Sequence, residues 1–326
     1  MATSQPPDPD VMGADPIGDP PGSMTDDGRS PEQQAVDDLV TLLDLEDIEV
    51  NVFRGRSPDI DVQRVFGGQV AGQALVAAAR TVDHDVDAPS DPGTRRHVHS
   101  LHAYFLRPGD PNVPILYEVD RQRDGRSFTT RRVVAIQHGR PIFNMSASFH
   151  VPESGFEHQF EAPTDVTPPE ELDDFAARWE PYKDQLGEWY TRPRAIDTRY
   201  ADWRPPDRAE ALPPRHRVWA RANGVLPDDP VLHACVVTYL SDMTLLDTTL
   251  LPHGGTFMNQ QVQMASLDHA MWFHRPFRAD EWLLYDQDTP SASDGRGIAR
   301  GFFFTPRGDL AVSVVQEGLI RKLAPR

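Results

Sequence analysis

The pattern of hydrophobic and polar positions predicts one long helix in each half of the chain, followed each time by several strands. The helical segments are 65–82, VFGGQVAGQALVAAARTV, and 231–251, VLHACVVTYLSDMTLLDTTLL. Apolar residues of the second segment cover nearly every direction of a helical wheel, which is typical of a buried helix. The first segment is rich in Gly and Ala, whose small side chains allow a sheet to approach closely. Runs of β-branched and aromatic residues with glycine-containing turns follow both segments and predict strands.

The two halves of the chain share motifs at a nearly constant spacing. Arg107-Pro108 corresponds to Arg275-Pro276, Asp124-Gly125-Arg126 to Asp294-Gly295-Arg296, and Gly139 to Gly308, and only a very short gap is needed to align all three. This repetition indicates duplication of one supersecondary unit. A helix followed by antiparallel strands that wrap it, present twice, predicts an α+β fold in which two curved sheets each enclose a helix.

Composition divides the chain into four predicted regions. Residues 1–30 are rich in Pro, Asp and Gly, which predicts a disordered tail. Ser30 and Pro31 then offer an N-cap and a first-turn proline for a short amphipathic helix. We expect two repeated units at 31–152 and 191–326, joined by a proline-rich, charged linker at 153–190.

Charge and cysteine content narrow the classes of protein that the chain can represent. The net charge of -18 disfavours nonspecific binding to nucleic acid or to an anionic membrane. Cys235 is the only cysteine, so an intrachain disulfide is excluded and a reducing cytoplasm is the expected location. We find no signal-peptide pattern and no uninterrupted run of 18 apolar residues, so we expect no membrane span.

Three polar residues occupy positions where the pattern calls for apolar ones. In VSVVQEGLIR (312–321), Gln316 shares a strand face with Val312 and Val314. Asp242 lies within the apolar 231–251 segment, and Ser266 has the strand parity of neighbouring apolar residues. A buried amide or carboxylate needs hydrogen-bond partners, so three such groups in one half predict a shared polar pocket.

The internal repeat supplies a comparison for these three positions. By the spacing of the nearest motifs, Ala74, Val98 and Ala147 of the first half stand roughly where Asp242, Ser266 and Gln316 stand in the second. Scaffold positions that are apolar in one copy and polar in the other favour a functional role over a packing role.

Other candidate motifs are weaker. His97, His99 and His102 lie along one predicted strand without supporting carboxylates, which disfavours a metal site. The GGQVAG stretch lacks the dinucleotide-binding fingerprint, and Cys235 on a buried helix is more typical of a small core residue than of a nucleophile. We therefore expect no metal and no cofactor.

Several motifs, in order along both halves, resemble the acyl-CoA thioesterase II family: VFGGQVAGQAL, LHAYFLRPGDPNVPILYEV, WARANGVLPDDPVLHACVVTYLSDMTLL, SLDHAMWFHRPFRADEWLLY and VVQEGLIR. The resemblance covers roughly residues 33–322. It implies a double-hotdog fold, in which two hotdog units are fused and each antiparallel sheet wraps a central helix. It also implies a catalytic set of Asp242, Ser266 and Gln316, with Ser266 at a position that usually holds Thr, and a homo-oligomer.

The function implied by this resemblance is hydrolysis of fatty acyl-CoA to fatty acid and CoA, by a water that the three residues activate. Arginine would bind the CoA phosphates, because lysine occurs only at 183 and 322. Two alternatives stay open. A hotdog enoyl-CoA hydratase would need an Asp and a His as acid and base, and no His closely follows Asp242. A noncatalytic acyl-CoA-binding protein would bind the same ligand without releasing CoA.

Overall fold

The computed structural model describes residues 28–58, 63–82, 95–207, 210–255 and 262–323. The predicted tail, 1–30, lies outside these residues except for its last three. The helices are α1 Pro31–Leu43, α2 Gly67–Arg80, α3 Phe175–Trp179, α4 Lys183–Leu186, α5 Glu188–Thr191 and α6 Pro230–Ser241. The strands are β1 Glu46–Glu49, β2 Val52–Gly55, β3 His97–Phe105, β4 Ile115–Asp124, β5 Phe128–Gln137, β6 Arg140–His150, β7 Ile196–Tyr200, β8 Arg215–Ala222, β9 Val262–Ser266, β10 Asp268–Phe273, β11 Leu283–Ser293, β12 Arg296–Phe304 and β13 Leu310–Lys322.

These strands form one antiparallel sheet whose order mirrors itself about its centre. The order is β1-β2-β4-β5-β6-β3-β10-β13-β12-β11-β8-β7, and β9 also pairs with β13. Strands β3 to β6 of the first half therefore occupy the same relative places as β10 to β13 of the second, and the β3–β10 pair joins the halves. This order agrees with the predicted duplication and with the predicted α+β double-hotdog class.

The two long helices pack against each other as well as against the sheet. All residues of α6 from His233 to Ser241 are buried, as its apolar pattern predicts. At Gly68 of α2, an added Cβ would overlap the backbone carbonyl oxygen of Tyr239 on α6, and at Gly72 it would lie 3.3 Å from that of Cys235. The small residues of α2 thus admit a second helix, and not only the sheet that we expected.

Helix α6 is shorter than the 231–251 helix that the sequence pattern predicts. It ends at Ser241, with Asp242 as C-cap, and a 3₁₀ segment at Leu246–His253 replaces the rest of the expected helix. The backbone N–H of Asp242 donates to the Leu240 carbonyl oxygen, and not to the carbonyl oxygen one helical turn earlier that a continuing α-helix would use. Pro252 lacks the backbone N–H that a regular helix needs. The apolar pattern alone does not distinguish these two kinds of helix, because both bury their side chains.

The structure also bears on the predicted start of helix α1 and on the expected absence of a membrane span. Helix α1 begins as predicted, since Ser30 Oγ accepts a hydrogen bond of 3.1 Å from the Gln33 backbone N–H. The segment Pro230–His253 is long and apolar enough to cross a membrane by length and composition alone, and most of it is buried inside the protein. A mostly buried core helix passes the same test, so length and composition alone do not establish a membrane span.

The contact between α2 and α6 leads to a prediction about stability. We expect Gly68→Ala to lower the free energy of unfolding by about 1–3 kcal/mol, because the new methyl group meets the backbone carbonyl oxygen of Tyr239, which cannot turn aside. Gly155→Ala is the matched control, since an added Cβ at Gly155 has no heavy atom within 4 Å. Denaturant melts of the two variants and the wild type measure the difference, and equal stability of both variants would contradict this packing.

Candidate active site

The structure brings together the three polar residues that the sequence pattern singled out. Gln316 Nε2 donates to Asp242 Oδ1 at 2.6 Å and to Ser266 Oγ at 2.7 Å. Ser266 Oγ in turn donates to Asp242 Oδ1 at 3.1 Å. The shared polar pocket predicted for them therefore exists, as a closed triangle of hydrogen bonds.

Each member of this triangle comes from a different element of the second half. Asp242 caps the C-terminus of α6, Ser266 ends β9, and Gln316 lies in the middle of β13. The strand parity of Gln316 is confirmed, because Val312, Val314 and Gln316 are all 0% exposed. Strand β9 pairs with β13 so that Ser266 stands opposite Gly318, two residues beyond Gln316.

The strand pairing supports Val98 and Ala147 as the first-half counterparts of Ser266 and Gln316. Val98 stands opposite Phe149 on β3 and β6, as Ser266 stands opposite Gly318 on β9 and β13. The spacing from Val98 to Ser266 equals that of the Arg-Pro motifs, and the spacing from Phe149 to Gly318 equals that of the glycine turns. The spacing of the glycine turns also matches Ala147 on β6 with Gln316 on β13.

The comparison of Asp242 with Ala74 is wrong. Ala74 lies inside α2 and is 0% exposed, whereas Asp242 follows the last residue of α6. The motif spacing does not hold here because the segment from the end of α6 at Ser241 to Ser266 is longer than the segment from the end of α2 at Arg80 to Val98.

The first half of the chain contributes two residues that the sequence pattern did not reveal, Gly67 and Gly68. The backbone N–H of Gly68, at the start of α2, hydrogen-bonds to the Asp242 carboxylate. A Cβ on Gly67 would lie 2.6 Å from Asp242 Oδ2, so only glycine leaves room for the carboxylate. The paired glycines in VFGGQ were the available signal, but their partner lies in the other half of the chain.

The environment of Asp242 perturbs its acidity. Burial raises the pKa of Asp242 to about 6, although hydrogen bonds from Gln316, Ser266 and Gly68 act in the opposite direction. No cationic side chain contributes to this balance among the described residues. A carboxylate that titrates close to neutral pH is suited to accept a proton as a general base.

A cavity of about 350 Å³ opens beside Asp242 and Ser266, between the two halves of the chain. Most of its wall is apolar, from Val65, Phe66, Val70, Phe105, Ile142, Phe143, Met243, Leu246, Met264 and Leu267. Arg64 and Arg107 also border the cavity. Gln316 is not part of the wall, because it is fully buried behind Asp242 and Ser266.

Comparison with known proteins agrees with this arrangement. Residues 205–319 match the family described as acyl-CoA thioesterase, and residues 54–150 match the acyl-CoA thioesterase N-terminal domain. Acyl-coenzyme A thioesterase 8 from Homo sapiens is 41% identical over 98% of this chain and 97% of its own length. Acyl-CoA thioesterase 2 from Haemophilus influenzae is 39% identical over 88% of this chain and 98% of its own length.

Solved structures resemble the fold over most of the chain. Acyl-CoA thioesterase II TesB2 from Mycobacterium marinum is 44% identical, with a TM-score of 0.70 and coverage of 88% of this chain and 99% of that one. A conserved protein of unknown function with a hot dog fold from Alicyclobacillus acidocaldarius is only 18% identical but has a TM-score of 0.67, with coverage of 89% of this chain and 99% of that one. The second likeness concerns the fold alone.

The fold, the cavity and these matches define a double-hotdog thioester hydrolase that acts on acyl-CoA. The matches to both halves place it more narrowly: the chain belongs to the acyl-CoA thioesterase II family.

The raised pKa of Asp242 predicts a pH dependence of stability. Below about pH 4 the carboxyl group is protonated in both the folded and the unfolded chain, and the folded state carries no cost for a buried charge. As the pH rises through the folded pKa of about 6, the wild type loses stability, by at most about 3 kcal/mol at 1.4 kcal/mol per pKa unit. Asp242→Asn cannot ionise there, so we expect its melting temperature relative to wild type to increase between pH 4 and pH 7.

Calorimetric melts of both proteins across this pH range measure that difference. A difference that stays constant with pH would mean that Asp242 has an ordinary pKa in the folded chain.

Proposed function

We propose that the protein hydrolyses fatty acyl-CoA by direct attack of a water molecule that Asp242 deprotonates. The observation that carries this proposal is a carboxylate with a pKa of about 6 that lines an apolar cavity and has no cationic partner among the described residues. Such a group is ionised at neutral pH, yet it binds a proton more readily than an ordinary aspartate. No side chain needs to become acylated in this mechanism.

The proposed reaction has two steps. Asp242 takes a proton from water as the oxygen attacks the thioester carbonyl carbon, which gives a tetrahedral intermediate. The intermediate then collapses, the carbon–sulfur bond breaks, and the CoA sulfur leaves and takes the proton back from Asp242. Fatty acid and CoA are released, and the carboxylate is regenerated.

Ser266 and Gln316 have different roles in this proposal. Ser266 lines the cavity beside Asp242, so its hydroxyl can contact the water as well as the carboxylate. Gln316 is fully buried, and its amide contacts Asp242 and Ser266 rather than the cavity. It therefore orients Asp242 and Ser266, which contact the water. The sequence suggested that Gln316 also contacts the water directly, and we assign it this indirect role instead.

The start of α2 is well placed to stabilise the charge that develops on the carbonyl oxygen. Gly67 and Gln69 line the cavity, and the N-terminus of a helix carries a partial positive charge. Backbone N–H groups that are held rigidly near a developing oxyanion can lower the barrier by several kcal/mol. We assign this role to the α2 N-terminus.

The cavity wall suggests how the two parts of the substrate bind. Its apolar side chains suit the acyl chain, and Arg64 and Arg107 at its border suit the phosphate groups of CoA. Arg107 Nη1 donates to the Pro141 carbonyl oxygen at 2.6 Å, and within the described part of the chain its other N–H groups are open to a ligand. The cytoplasmic location and the homo-oligomer stay predictions from the sequence.

The hydratase alternative is disfavoured by the position of histidine. No histidine of the described residues lines the cavity, and His269, which the Gln316 amide connects to Asp242, lies outside it. A hydratase needs both an acid and a base in contact with the substrate.

Free-thiol release from a series of acyl-CoAs, short to long, tests the proposed function. We expect the wild type to release CoA and Asp242→Asn to fold but turn over about 100- to 10,000-fold more slowly, the usual contribution of a general base. Asp184→Asn removes an exposed carboxylate and serves as the control for the change in charge. Undiminished kcat in Asp242→Asn would refute the role of Asp242, and acyl-CoA binding without thiol release by the wild type would favour the binding-protein alternative.

Gln316→Ala separates orientation from binding. Because Gln316 contacts Asp242 and Ser266 but not the cavity, we expect kcat to fall with little change in KM. Steady-state kinetics with one good substrate measure both constants. A raised KM at unchanged kcat would make Gln316 a substrate-binding residue instead.

A further inference from the structure

His269 lies next to the candidate active site but outside its cavity. It is 1% exposed and belongs to β10, which pairs with β13 so that Ala270 stands opposite Val315. Continuing this antiparallel register by one residue places His269 opposite Gln316. Side chains directly opposite each other on antiparallel strands have Cβ atoms about 4.5–5.5 Å apart, so the imidazole ring and the amide are neighbours.

One polar atom of each side chain remains for this contact. Gln316 uses Nε2 for Asp242 and Ser266, which leaves Oε1 at the other end of the planar amide. His269 Nε2 lies 2.8 Å from Ser241 Oγ, which leaves Nδ1. Gln316 Oε1 and His269 Nδ1 are both buried, and neither makes a hydrogen bond of normal geometry within the described part of the chain.

The chemistry of these atoms defines which nitrogen of His269 carries the proton. An amide oxygen only accepts, so a hydrogen bond between these two atoms requires the ring to donate from Nδ1. Burial lowers the pKa of His269 to about 4, while its interaction with the Gln316 amide opposes this effect, so the ring is neutral at pH 7. A neutral ring that is protonated at Nδ1 has a bare Nε2, which accepts the Ser241 hydroxyl proton. Ser241 Oγ also lies 2.9 Å from the Thr238 carbonyl oxygen, and its single proton can serve only one acceptor, so this tautomer of His269 requires that proton to point at His269 Nε2 and not at Thr238.

The first half of the chain provides an internal comparison for this pair. Leu101 stands opposite Ala147 on β3 and β6, at the places that the spacing of the repeat assigns to His269 and Gln316. Leu101 is 0% and Ala147 1% exposed. The scaffold therefore accepts two apolar side chains at this pair of positions, and the two polar ones occur only in the half that contains Asp242.

We propose that His269 is a positioning residue, whose Nδ1–H holds the Gln316 amide with its NH₂ group toward Asp242 and Ser266. A reversed amide would direct Oε1 at the Asp242 carboxylate, where two acceptors repel each other. The hydrogen bonds then run in one direction, from Ser241 to His269, from His269 to Gln316, and from Gln316 to Asp242 and Ser266. This inference rests on the proposed function, because it concerns the same carboxylate.

Three substitutions at His269 separate the two hydrogen bonds of the ring. Asn places its amide nitrogen near the position of Nδ1, and Gln places its amide near Nε2. We expect His269→Asn to retain kcat within about threefold, and His269→Gln and His269→Leu to lose about tenfold or more, each with KM within about twofold. Equal losses in His269→Asn and His269→Gln, or full kcat in His269→Leu, would overturn the proposal.

A double-mutant cycle with Gln316→Ala shows whether His269 acts through Gln316. We expect His269→Leu to cause no further loss of kcat when Gln316 is already Ala, because the amide that it orients is gone. If His269→Leu lowers kcat by the same factor in both backgrounds, its effect does not pass through Gln316, and the proposal fails.

Nuclear magnetic resonance of ¹⁵N-labelled histidine tests the same contact without any enzymatic activity. We expect the His269 ring to be protonated at Nδ1 at pH 7 in the wild type, and to change to the Nε2-protonated form in Gln316→Ala. An Nε2-protonated ring in the wild type would overturn the proposal. Because this readout does not depend on turnover, failure of this inference is distinguishable from failure of the proposed function, which the thiol-release assay of the wild type decides.

Discussion

The burial of one carboxylate without a cationic partner is the constraint on which the rest of the site depends. Asp242 sits at the end of α6, and its charge is supported only by neutral donors among the described residues, the Gln316 amide, the Ser266 hydroxyl and the Gly68 backbone N–H. A nearby arginine or lysine would have lowered its pKa and made it a weaker base. The paired glycines of α2 allow the helix start to approach this carboxylate, so the close α2–α6 contact serves both packing and chemistry.

Duplication explains how the fold tolerates such a costly arrangement. Each half supplies a helix wrapped by antiparallel strands, and the mirrored strand order brings the start of α2 against the end of α6. The first half keeps apolar residues at Val98, Leu101 and Ala147, and it contributes the Gly68 backbone N–H to Asp242 in the other half. The second half carries polar side chains at the corresponding strand positions. The apolar residues of the first half help to stabilise the scaffold that holds these polar groups.

Much of this arrangement could be predicted from the sequence because it follows from local periodicity. The inward direction of Gln316 follows from strand parity, and the start of α1 follows from Ser30 and Pro31. The contact of Gly67 and Gly68 with Asp242 could not be predicted, because it depends on how two distant helices cross. The end of α6 at Ser241 was also missed, since an apolar run does not show where a helix changes to a 3₁₀ segment. The role of His269 could not be predicted either, because its partners lie on another strand and on α6.

The pH dependence of kcat/KM tests the central claim most directly, since it reports the ionisation of the free enzyme. Measured with a single acyl-CoA between pH 4.5 and pH 8.5, it should fall tenfold per pH unit below a pKa near 6 and be level above it, because only ionised Asp242 can accept the proton from water. A profile that stays level down to pH 5 would contradict this account, since the catalytic base would then have to be a group other than Asp242.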